Sequence, residues 1–197
     1  MIGDPPAYAA LSDGALMVLF ANGDPGASRV LAARLLPRAL RHAARVLGDR
    51  AEAEDVAQEA MLRLWRAAAG WQQDGAAQPA TWLYRVVANL CTDRLRRSGR
   101  TASLEDADQA WDGQPGVEDR LIEKGRMAAL DAALAHLPDR QRQAVVLRHI
   151  EGLSNPEIAA ILDLGVEAVE SLTARGKRAL AQALANSKEA LGYDDGP

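Results

Sequence analysis

Residues 153–180 read LSNPEIAAILDLGVEAVESLTARGKRAL, and this stretch predicts two short helices joined by a tight turn. Ser154 and Glu157 have capping-box spacing, and Pro156 falls in the first turn, where its missing N–H costs nothing. After Asp163-Leu164-Gly165 breaks the pattern, a second amphipathic helix follows. Two short helices, a three-residue break and small residues at the crossing are the form of a helix-turn-helix. The apolar face predicted for the first helix is Ile158, Ala159, Ile161 and Leu162.

The outward face of the second predicted helix decides what this hairpin does. An ordinary helical hairpin has the same pattern, so spacing alone leaves simple packing and DNA binding both open. In a DNA-binding hairpin this face enters the major groove and its late basic residues reach phosphates. In an ordinary one they only complement the helix dipole. The carboxylate of Glu170 suits a cytosine amino group rather than a phosphate. The residues predicted on this face are Glu170, Ser171, Thr173, Ala174, Arg175, Lys177 and Arg178, away from an apolar stripe of Val166, Val169 and Leu172.

Outside this hairpin the chain also has the composition and punctuation of helices. Hydrophobic residues make up 48% of the 197 residues and aromatics only 4%, which favours helix over strand. Ser12 and Asp24-Pro25 are typical helix starts, and Gly48 is a typical helix end. Asp49 and Glu52 have the spacing of another capping box. Helices are predicted over about 12–20, 25–48 with a bend at Pro37, 52–68, 80–97, 117–136 and 139–150, beside 155–163 and 166–186 in the hairpin.

A polar segment separates two helical regions. Residues 98–115 show no sustained periodicity and are rich in Gly, Asp, Ser and Gln, which is typical of a linker. Residues 98–124 hold three basic and seven acidic residues, so the acidity of a chain with net charge −4 is concentrated there. We predict an all-α protein of two small helical domains joined by a flexible acidic linker, the second domain being a helix-turn-helix. The predicted divisions are 1–97, 98–124, 125–187 and a flexible tail over 188–197.

Composition also restricts the compartment. No stretch approaches the roughly 20 apolar residues that span a bilayer, so no membrane insertion is expected. The first ten residues lack the basic and apolar regions of an export signal. Cys91 is the one cysteine, which excludes an internal disulfide and agrees with a reducing cytoplasm. We therefore predict a cytoplasmic protein.

Signals for catalysis are weak in this sequence. His42, His136 and His149 are scattered, and the motifs of zinc proteases, redox dithiols, serine hydrolases and nucleotide-binding loops do not occur. Cys91 with a distant histidine is the remaining enzymatic alternative, as a nucleophile pair or a metal site. A structural cysteine buried in a helix is favoured over it. We predict that the chain is not an enzyme and has no cofactor and no metal.

The predicted helix over 52–68 has two contrasting faces. Its core stripe is Val56, Ala60, Met61, Leu64 and Trp65. A leucine set among acidic and amide residues on an outward face is typical of a partner-docking surface, although single exposed leucines are also common. The outward face is Asp55, Gln58, Glu59, Leu62 and Arg66.

The predicted helix over 80–97 offers donors for nucleic acid. Arg85, Asn89, Thr92 and Arg96 follow at spacings of four, three and four, so they share one exposed face opposite Leu83, Val87, Leu90 and Leu95. Trp71 lies in the preceding loop, 70–79, and Trp82 and Tyr84 are available to stack or pack nearby. The alternative is that the tryptophans anchor the core and the arginines only increase solubility.

Three segments together resemble the extracytoplasmic-function (ECF) sigma factors of the sigma-70 family. DRAEAEDVAQEAMLRLWR resembles that family's polymerase-binding helix, and PATWLYRVVANLCTDRLRR resembles its promoter-melting helix. The stretch from ALAHLPDRQRQAVVLRHIEG through the hairpin resembles its promoter-upstream domain, including the LP-x-RQR opening. The resemblance covers roughly 12–97 and 126–185, in the family's order and spacing.

This resemblance implies a function and a set of partners. The protein would bind core RNA polymerase, through the beta-prime and beta subunits, and confer promoter-specific initiation. Asp55, Gln58, Glu59 and Leu62 would dock on the clamp helices of the largest subunit. The second domain would contact the −35 duplex, the linker would thread polymerase channels, and an anti-sigma factor would hold the protein until a stress signal. Trp71, Arg85, Asn89, Thr92 and Arg96 would contact −10 promoter DNA.

The chain departs from the family pattern at four positions. Relatives often carry basic residues where this chain has Glu170 and Leu172, and alanine at Gly176. Asp163 stands where glycine is frequent, although aspartate tolerates the left-handed conformation. The departures at Glu170, Leu172 and Gly176 bear on the −35 contacts. A helix-turn-helix repressor is the nearest alternative, but it would explain residues 138–185 only, and a pure adaptor also stays open.

Overall fold

A computed structural model describes residues 8–71, 78–97 and 117–190, and within them it is helical without a strand. This confirms the all-α prediction. Helices α1 to α4 are Asp13–Ala21, Pro25–Leu47, Arg50–Ala67 and Pro79–Arg97, with a 3-10 turn at Ala68–Gly70 after α3. Helices α5 to α8 are Val117–Ala135, Asp139–Val145, Asn155–Leu162 and Val166–Ala190, with a π turn at Val146–Ile150 after α6. None of the described helices is long and apolar enough to cross a membrane.

The chain divides into two compact units. One consists of Met1–Arg94 with Ala160–Asp163, and the other of Leu95–Ala159 with Leu164–Pro197. The loop over 72–77 and the linker over 98–116 fall outside the described residues. Helix α8 continues to Ala190, past the predicted end at 186 and into the predicted tail.

Local caps set the helix boundaries of the first unit. The Ser12 hydroxyl accepts from the Ala15 N–H at 3.2 Å, and the Asp24 carboxylate accepts from Gly26 and Ala27 at 2.8 and 3.3 Å. Gly48 ends α2 at φ 68°, a left-handed conformation that glycine adopts without a Cβ penalty. These boundaries confirm the predicted starts and stops. Helix α2 runs through Pro37, and the bend predicted there stays a prediction.

The core of the first unit forms where α2 packs against α1 and α3. The apolar stripes of α1 to α4 contribute side chains that are fully buried or nearly so, and burial of this kind is the main force that stabilises a small helical unit. One buried side chain, His42 of α2, is polar, and its ring lies edge-on to Tyr84 of α4 at 5.7 Å between centroids. Buried apolar residues of these helices include Leu16, Met17, Leu31, Leu35, Val46, Val56, Leu64, Leu83 and Val87.

The second unit is built around a small apolar cluster. Leu134, Leu137, Val145 and Val146 form its buried centre, and Leu130, Ile150 and Leu180 pack against them. Arg142 of the LP-x-RQR opening closes α5, because its Nη2 donates to the carbonyls of Ala135 and Leu137 at 2.7 and 3.1 Å. These bonds satisfy acceptors that a helix end leaves without partners.

Helix α8 approaches α6 unusually closely at Gly176. A Cβ placed on Gly176 would lie 2.5 Å from the Val145 Cγ2 and 3.3 Å from the Gln141 carbonyl oxygen. Only a residue without a side chain fits at this separation, so the departure from alanine has a packing reason. Gly176 therefore fixes how deeply the second helix of the hairpin lies against the rest of its unit.

Candidate nucleic-acid and partner interfaces

The outward face of α3 is the first candidate interface. Asp55, Gln58 and Leu62 are exposed, and Leu62 is 50% exposed, the largest value among the exposed large hydrophobic residues described. Glu59 is half-buried and accepts from Arg63 at 2.8 Å. The opposite stripe of Val56, Ala60, Met61 and Leu64 is buried as predicted, whereas Trp65 is only partly buried, beside Phe20 at 4.7 Å. The fold thus leaves this face free of core packing.

The first turn of α3 also holds α4 in place. The Asp49 carboxylate accepts from the Glu52 N–H at 3.0 Å, which is one half of the predicted capping box. The Glu52 carboxylate does not complete the other half as predicted but accepts from Arg94 of α4. Their hydrogen bond raises the pKa of Arg94, and the nearby charges of Glu52 and Asp55 act in the same direction. The ion pair joins residues 42 positions apart, so local spacing could not have revealed it.

Helix α4 is the second candidate interface. Arg85, Asn89, Thr92 and Arg96 are exposed on one face, as predicted. The Thr92 hydroxyl donates to the Ala88 carbonyl at 2.9 Å. Opposite them Leu83, Val87, Cys91 and Leu95 are buried, and Leu90 is partly buried. Burial raises the pKa of the Cys91 thiol to about 12, which supports a structural cysteine rather than a nucleophile.

The aromatic residues near α4 differ in their exposure. Tyr84 is buried against His42 and belongs to the core, so it is not available to stack on a ligand. Trp71 and Trp82 are partly buried. The Trp71 N–H donates to the Ala68 carbonyl at 3.0 Å, which closes the 3-10 turn just before the part of the loop outside the description. Trp71 is therefore the aromatic side chain of this group that belongs to the loop.

The hairpin over 153–180 has the predicted helix-turn-helix geometry. The Glu157 carboxylate accepts from the Ser154 hydroxyl and N–H at 2.6 and 2.8 Å, which holds the pKa of Glu157 below its usual value. Asp163 has φ 54°, the left-handed conformation expected of it in the turn. Ile158, Ala159 and Ile161 are buried, as predicted, and Leu162 is partly buried.

Helix α8 is the third candidate interface, and two predictions about its faces are wrong. Thr173 is only 8% exposed, and its hydroxyl donates to the Val169 and Glu170 carbonyls at 2.9 and 3.0 Å, so it does not belong to the outward face. Val166 is predicted in the apolar stripe but is 41% exposed, whereas Val169, one turn later, is fully buried. The other predicted residues are exposed: Glu170, Ser171, Ala174, Arg175, Lys177 and Arg178.

One side chain at this third interface was missed from sequence. The Asn155 Nδ2 in the first turn of α7 donates to the Glu170 Oε1 at 3.4 Å, which links the two helices of the hairpin on their exposed side. Asn155 and Glu170 are 15 positions apart on different helices. The one signal in the sequence is the amide side chain of Asn155 next to the Ser154 cap, but caps of this kind are common.

Comparison with known proteins places all three interfaces in matched segments. Residues 31–101 match the family described as Sigma-70 region 2, and residues 127–180 match the family described as Sigma-70, region 4. The ECF RNA polymerase sigma factor SigW of Bacillus subtilis (strain 168) is 33% identical over 150 residues, which is 71% of this chain and 79% of that protein. The chain belongs to the ECF RNA polymerase sigma factors.

Two further similarities agree with membership of this family. The ECF RNA polymerase sigma factor SigE of Mycolicibacterium smegmatis is 38% identical over 154 residues, which is 75% of this chain but 58% of that protein. The chain thus spans less than two thirds of that relative's length. The solved structure of CnrH, in complex with the cytosolic domain of CnrY, is 30% identical with a TM-score of 0.63, and the match covers 88% of this chain and 97% of CnrH.

Proposed function

We propose that this ECF sigma factor binds core RNA polymerase through α3 and directs it to promoters through α4 and α8. The observation that carries the proposal is the arrangement of the first unit. There, one outward face sets the exposed Leu62 among mostly acidic and amide side chains, while the outward face of a neighbouring helix carries two arginines and two neutral polar residues at helical spacing. A protein surface and a nucleic acid require these two kinds of face. We propose the divisions 1–97, 98–124, 125–187 and 188–197 for the polymerase-binding domain, linker, −35 domain and tail.

The α3 face suits a protein partner. An exposed leucine ringed by Asp55, Gln58 and Glu59 has the form of a small interface centre, in which an apolar anchor is surrounded by polar groups. Asp55 and Glu59 disfavour phosphates around the leucine, so this part of the face suits a protein surface with basic groups, with Arg66 at its far end. We propose the clamp helices of the beta-prime subunit as its target, with the linker and second domain adding contacts to the beta-prime and beta subunits.

The α4 face suits single-stranded promoter DNA. Arg85 and Arg96 carry charges that attract phosphates, and Asn89 and Thr92 offer short polar groups for base edges. Trp71 adds an aromatic surface at the start of the loop, where an extruded base could stack. Capturing such a base would offset the few kcal/mol that unstacking costs. We propose that this face holds the opened −10 strand.

The α8 face suits the −35 duplex. The exposed cations Arg175, Lys177 and Arg178 lie in the later turns, where a helix in the major groove meets phosphates. Glu170, Ser171 and Ala174 precede or adjoin them on the exposed side. Thr173 is buried, so it does not belong to the proposed contact face.

The α3 assignment is tested by introducing a negative charge at Leu62, with the same substitution at another exposed leucine as the control. Leu62→Glu places a carboxylate at the centre of the proposed interface, and we expect it to abolish assembly with core polymerase. Leu36→Glu makes the same change at another exposed leucine, 38% exposed on α2, and should assemble normally. Asp55→Lys should also prevent assembly. Binding is measured by size-exclusion chromatography, and circular dichroism checks that helix content is retained. Assembly of Leu62→Glu at wild-type affinity would reject the α3 face.

We further propose that a separate inhibitory protein, an anti-sigma factor, covers the polymerase-facing surface. CnrH, a relative of known structure, was solved with the cytosolic domain of CnrY. Because α3 exposes an apolar centre beside acidic groups, a helix with apolar and basic residues would fit there. A protein with these partners would act in the cytoplasm. Purification from the native host tests this: an inhibitor should copurify and be displaced less readily from Leu36→Glu than from Leu62→Glu.

A further inference from the structure

The part of the hairpin that is expected to contact bases has acidic side chains but no lysine or arginine. Between His149 and Ala174 the sequence contains no Lys or Arg, although this span includes α7, the turn and the first two turns of α8. In a helix-turn-helix, the N-terminal turns of the second helix contact base edges, and later residues contact phosphates. The first cation of α8 is Arg175, so cations are available for the backbone but not for the base edges.

This arrangement disfavours guanine as the target of α8. Guanine presents only acceptors, N7 and O6, in the major groove, and proteins recognise them with the donors of Arg or Lys. The early turns of α8 expose the carboxylates of Glu167 and Glu170 instead. A carboxylate is an acceptor, so it requires an exocyclic amino group. Cytosine N4 and adenine N6 are the two candidates in the major groove.

The chemistry of the neighbouring atoms favours cytosine over adenine. Adenine places the N7 acceptor beside its N6 amino group, and a carboxylate close to both would be repelled by the N7 lone pair. Cytosine has no acceptor beside N4 on its own groove edge. A carboxylate also sits poorly among phosphates, so it lowers the affinity for every sequence and is retained only where it discriminates.

The structure distinguishes Glu170 from Glu167. Glu170 Oε1 accepts from the Asn155 Nδ2 at 3.4 Å, which directs the carboxylate along the exposed side of the hairpin and leaves Oε2 for a ligand. A side chain restrained in this way loses less entropy on contacting a base than a free one. We propose that Glu170, positioned by Asn155, selects a cytosine in the −35 element by accepting from its N4 amino group. This rests on the proposed function of α8 in −35 binding.

The test uses full-length protein assembled with core polymerase. Templates with ten randomised base pairs in the upstream element are transcribed, and barcoded transcripts are sequenced. Wild type should prefer cytosine at one position by about 5- to 100-fold, the range of a specific base contact. Glu170→Ala should remove the preference there and leave the other positions unchanged. Glu170→Gln should shift it toward adenine, because an amide both donates and accepts. Asn155→Ala should weaken the same preference without abolishing it.

Glu167→Ala is the matched control, because it removes the same charge one turn earlier from a side chain that Asn155 does not hold. It should leave the cytosine preference intact. The proposal is overturned if Glu170→Ala keeps the preference, if it flattens all positions equally, or if Glu167→Ala erases the same preference. If wild type binds core polymerase and initiates without any cytosine preference, this inference alone fails. Failure of wild type to bind polymerase or to select any template would reject the proposed function as well.

Discussion

Helices α4 and α8 both present polar faces, but different contacts hold each helix in its unit. Helix α4 lies on a buried aromatic contact between Tyr84 and His42, and an ion pair from Arg94 to Glu52 ties its last turns to α3. Helix α8 packs through a close backbone approach, with Gly176 against Val145. The contacts that hold α4 therefore include groups that titrate, whereas the packing of α8 depends on the absence of a side chain at Gly176. The two helices should respond to different perturbations.

Low pH should weaken the packing of α4 against His42 and give the largest loss of stability. Burial lowers the pKa of His42 to about 4 from 6.5, with a smaller contribution from the charge of Arg45. As the pH falls below 6.5, the unfolded chain takes up a proton that the folded chain refuses, so stability is lost until about pH 4. The full loss is about 3 kcal/mol. Urea unfolding of the first unit, followed by the fluorescence of Trp65, Trp71 and Trp82, should show about 2 kcal/mol of this loss between pH 7.5 and 5, because pH 5 lies above the folded-state pKa of about 4.

Two substitutions identify the source of this acid effect. His42→Leu should remove most of the pH dependence, because an apolar side chain at that position cannot be protonated. His136→Gln, at an exposed histidine of the second unit, should leave it unchanged. An equal loss of stability at pH 5 in His42→Leu would show that another group is responsible. The proposed difference between the contacts of α4 and the packing of α8 would then be wrong.

A single methyl group added at Gly176 should disturb the packing of α8 against α6. Gly176→Ala forces its Cβ against the Val145 Cγ2, and we expect a loss of about 1–3 kcal/mol in the free energy of unfolding of the second unit. Gly125→Ala in α5 is the control, since its added Cβ meets nothing within 4 Å. That change should stabilise by about 0.5–1 kcal/mol. Amide hydrogen exchange in α8 measures both, and wild-type protection in Gly176→Ala would contradict the tight crossing.

The α4 face should separate base contacts from phosphate contacts. Asn89→Ala should cost on the order of 1–3 kcal/mol at one promoter base. Arg85→Ala should instead weaken promoter opening at all promoters and reduce its salt dependence. Neither change should affect polymerase binding, because that surface lies on α3. Permanganate footprinting beside a polymerase-binding assay distinguishes these outcomes, and normal melting by both variants would place the melting site elsewhere.

The ion pair under α4 should give the smallest effect. Both partners are substantially exposed, with side-chain exposures of 31% for Arg94 and 45% for Glu52, so water screens much of their attraction. Arg94→Gln should therefore cost about 0.2–1 kcal/mol. The control, Arg50→Gln, removes a pair with Glu54 within α3 and should leave α4 unaffected. A loss well above 1 kcal/mol in Arg94→Gln would mean that the pair holds α4 more firmly than its exposure indicates.

Sequence was sufficient for most of the local helix caps, although it wrongly assigned the Glu52 carboxylate to the cap at Asp49. The caps at Ser12, Asp24 and Ser154 involve partners two or three residues away, and each was predicted. The outward face of α3 was also predicted, because periodicity places residues around a helix. Periodicity does not say how wide the buried stripe is or where a neighbouring helix stops covering it. Thr173 and Val166 lie at those two edges of the α8 stripe, and both were misplaced.

Contacts between distant residues could not be inferred in this way. Arg94 with Glu52, Asn155 with Glu170, and His42 with Tyr84 each join different helices. Their partners are decided by the relative placement of the helices, which depends on the whole core rather than on spacing along one element. The sequence alone shows the departure at Gly176, but its cause lies in the packing of the neighbouring helix.

The crossing at Gly176 also ties two positions together in evolution. A lineage that replaces Gly176 with alanine would pass through a destabilised intermediate unless residue 145 had first become smaller than valine. The reverse order opens a cavity at residue 145 and carries a cost of similar size, because deleting buried methyl groups also destabilises a packed core. Either single change therefore passes through a destabilised intermediate, and the second change relieves it. Among relatives, the two positions should covary in volume, so that a methyl group gained on one helix is matched by one lost on the other.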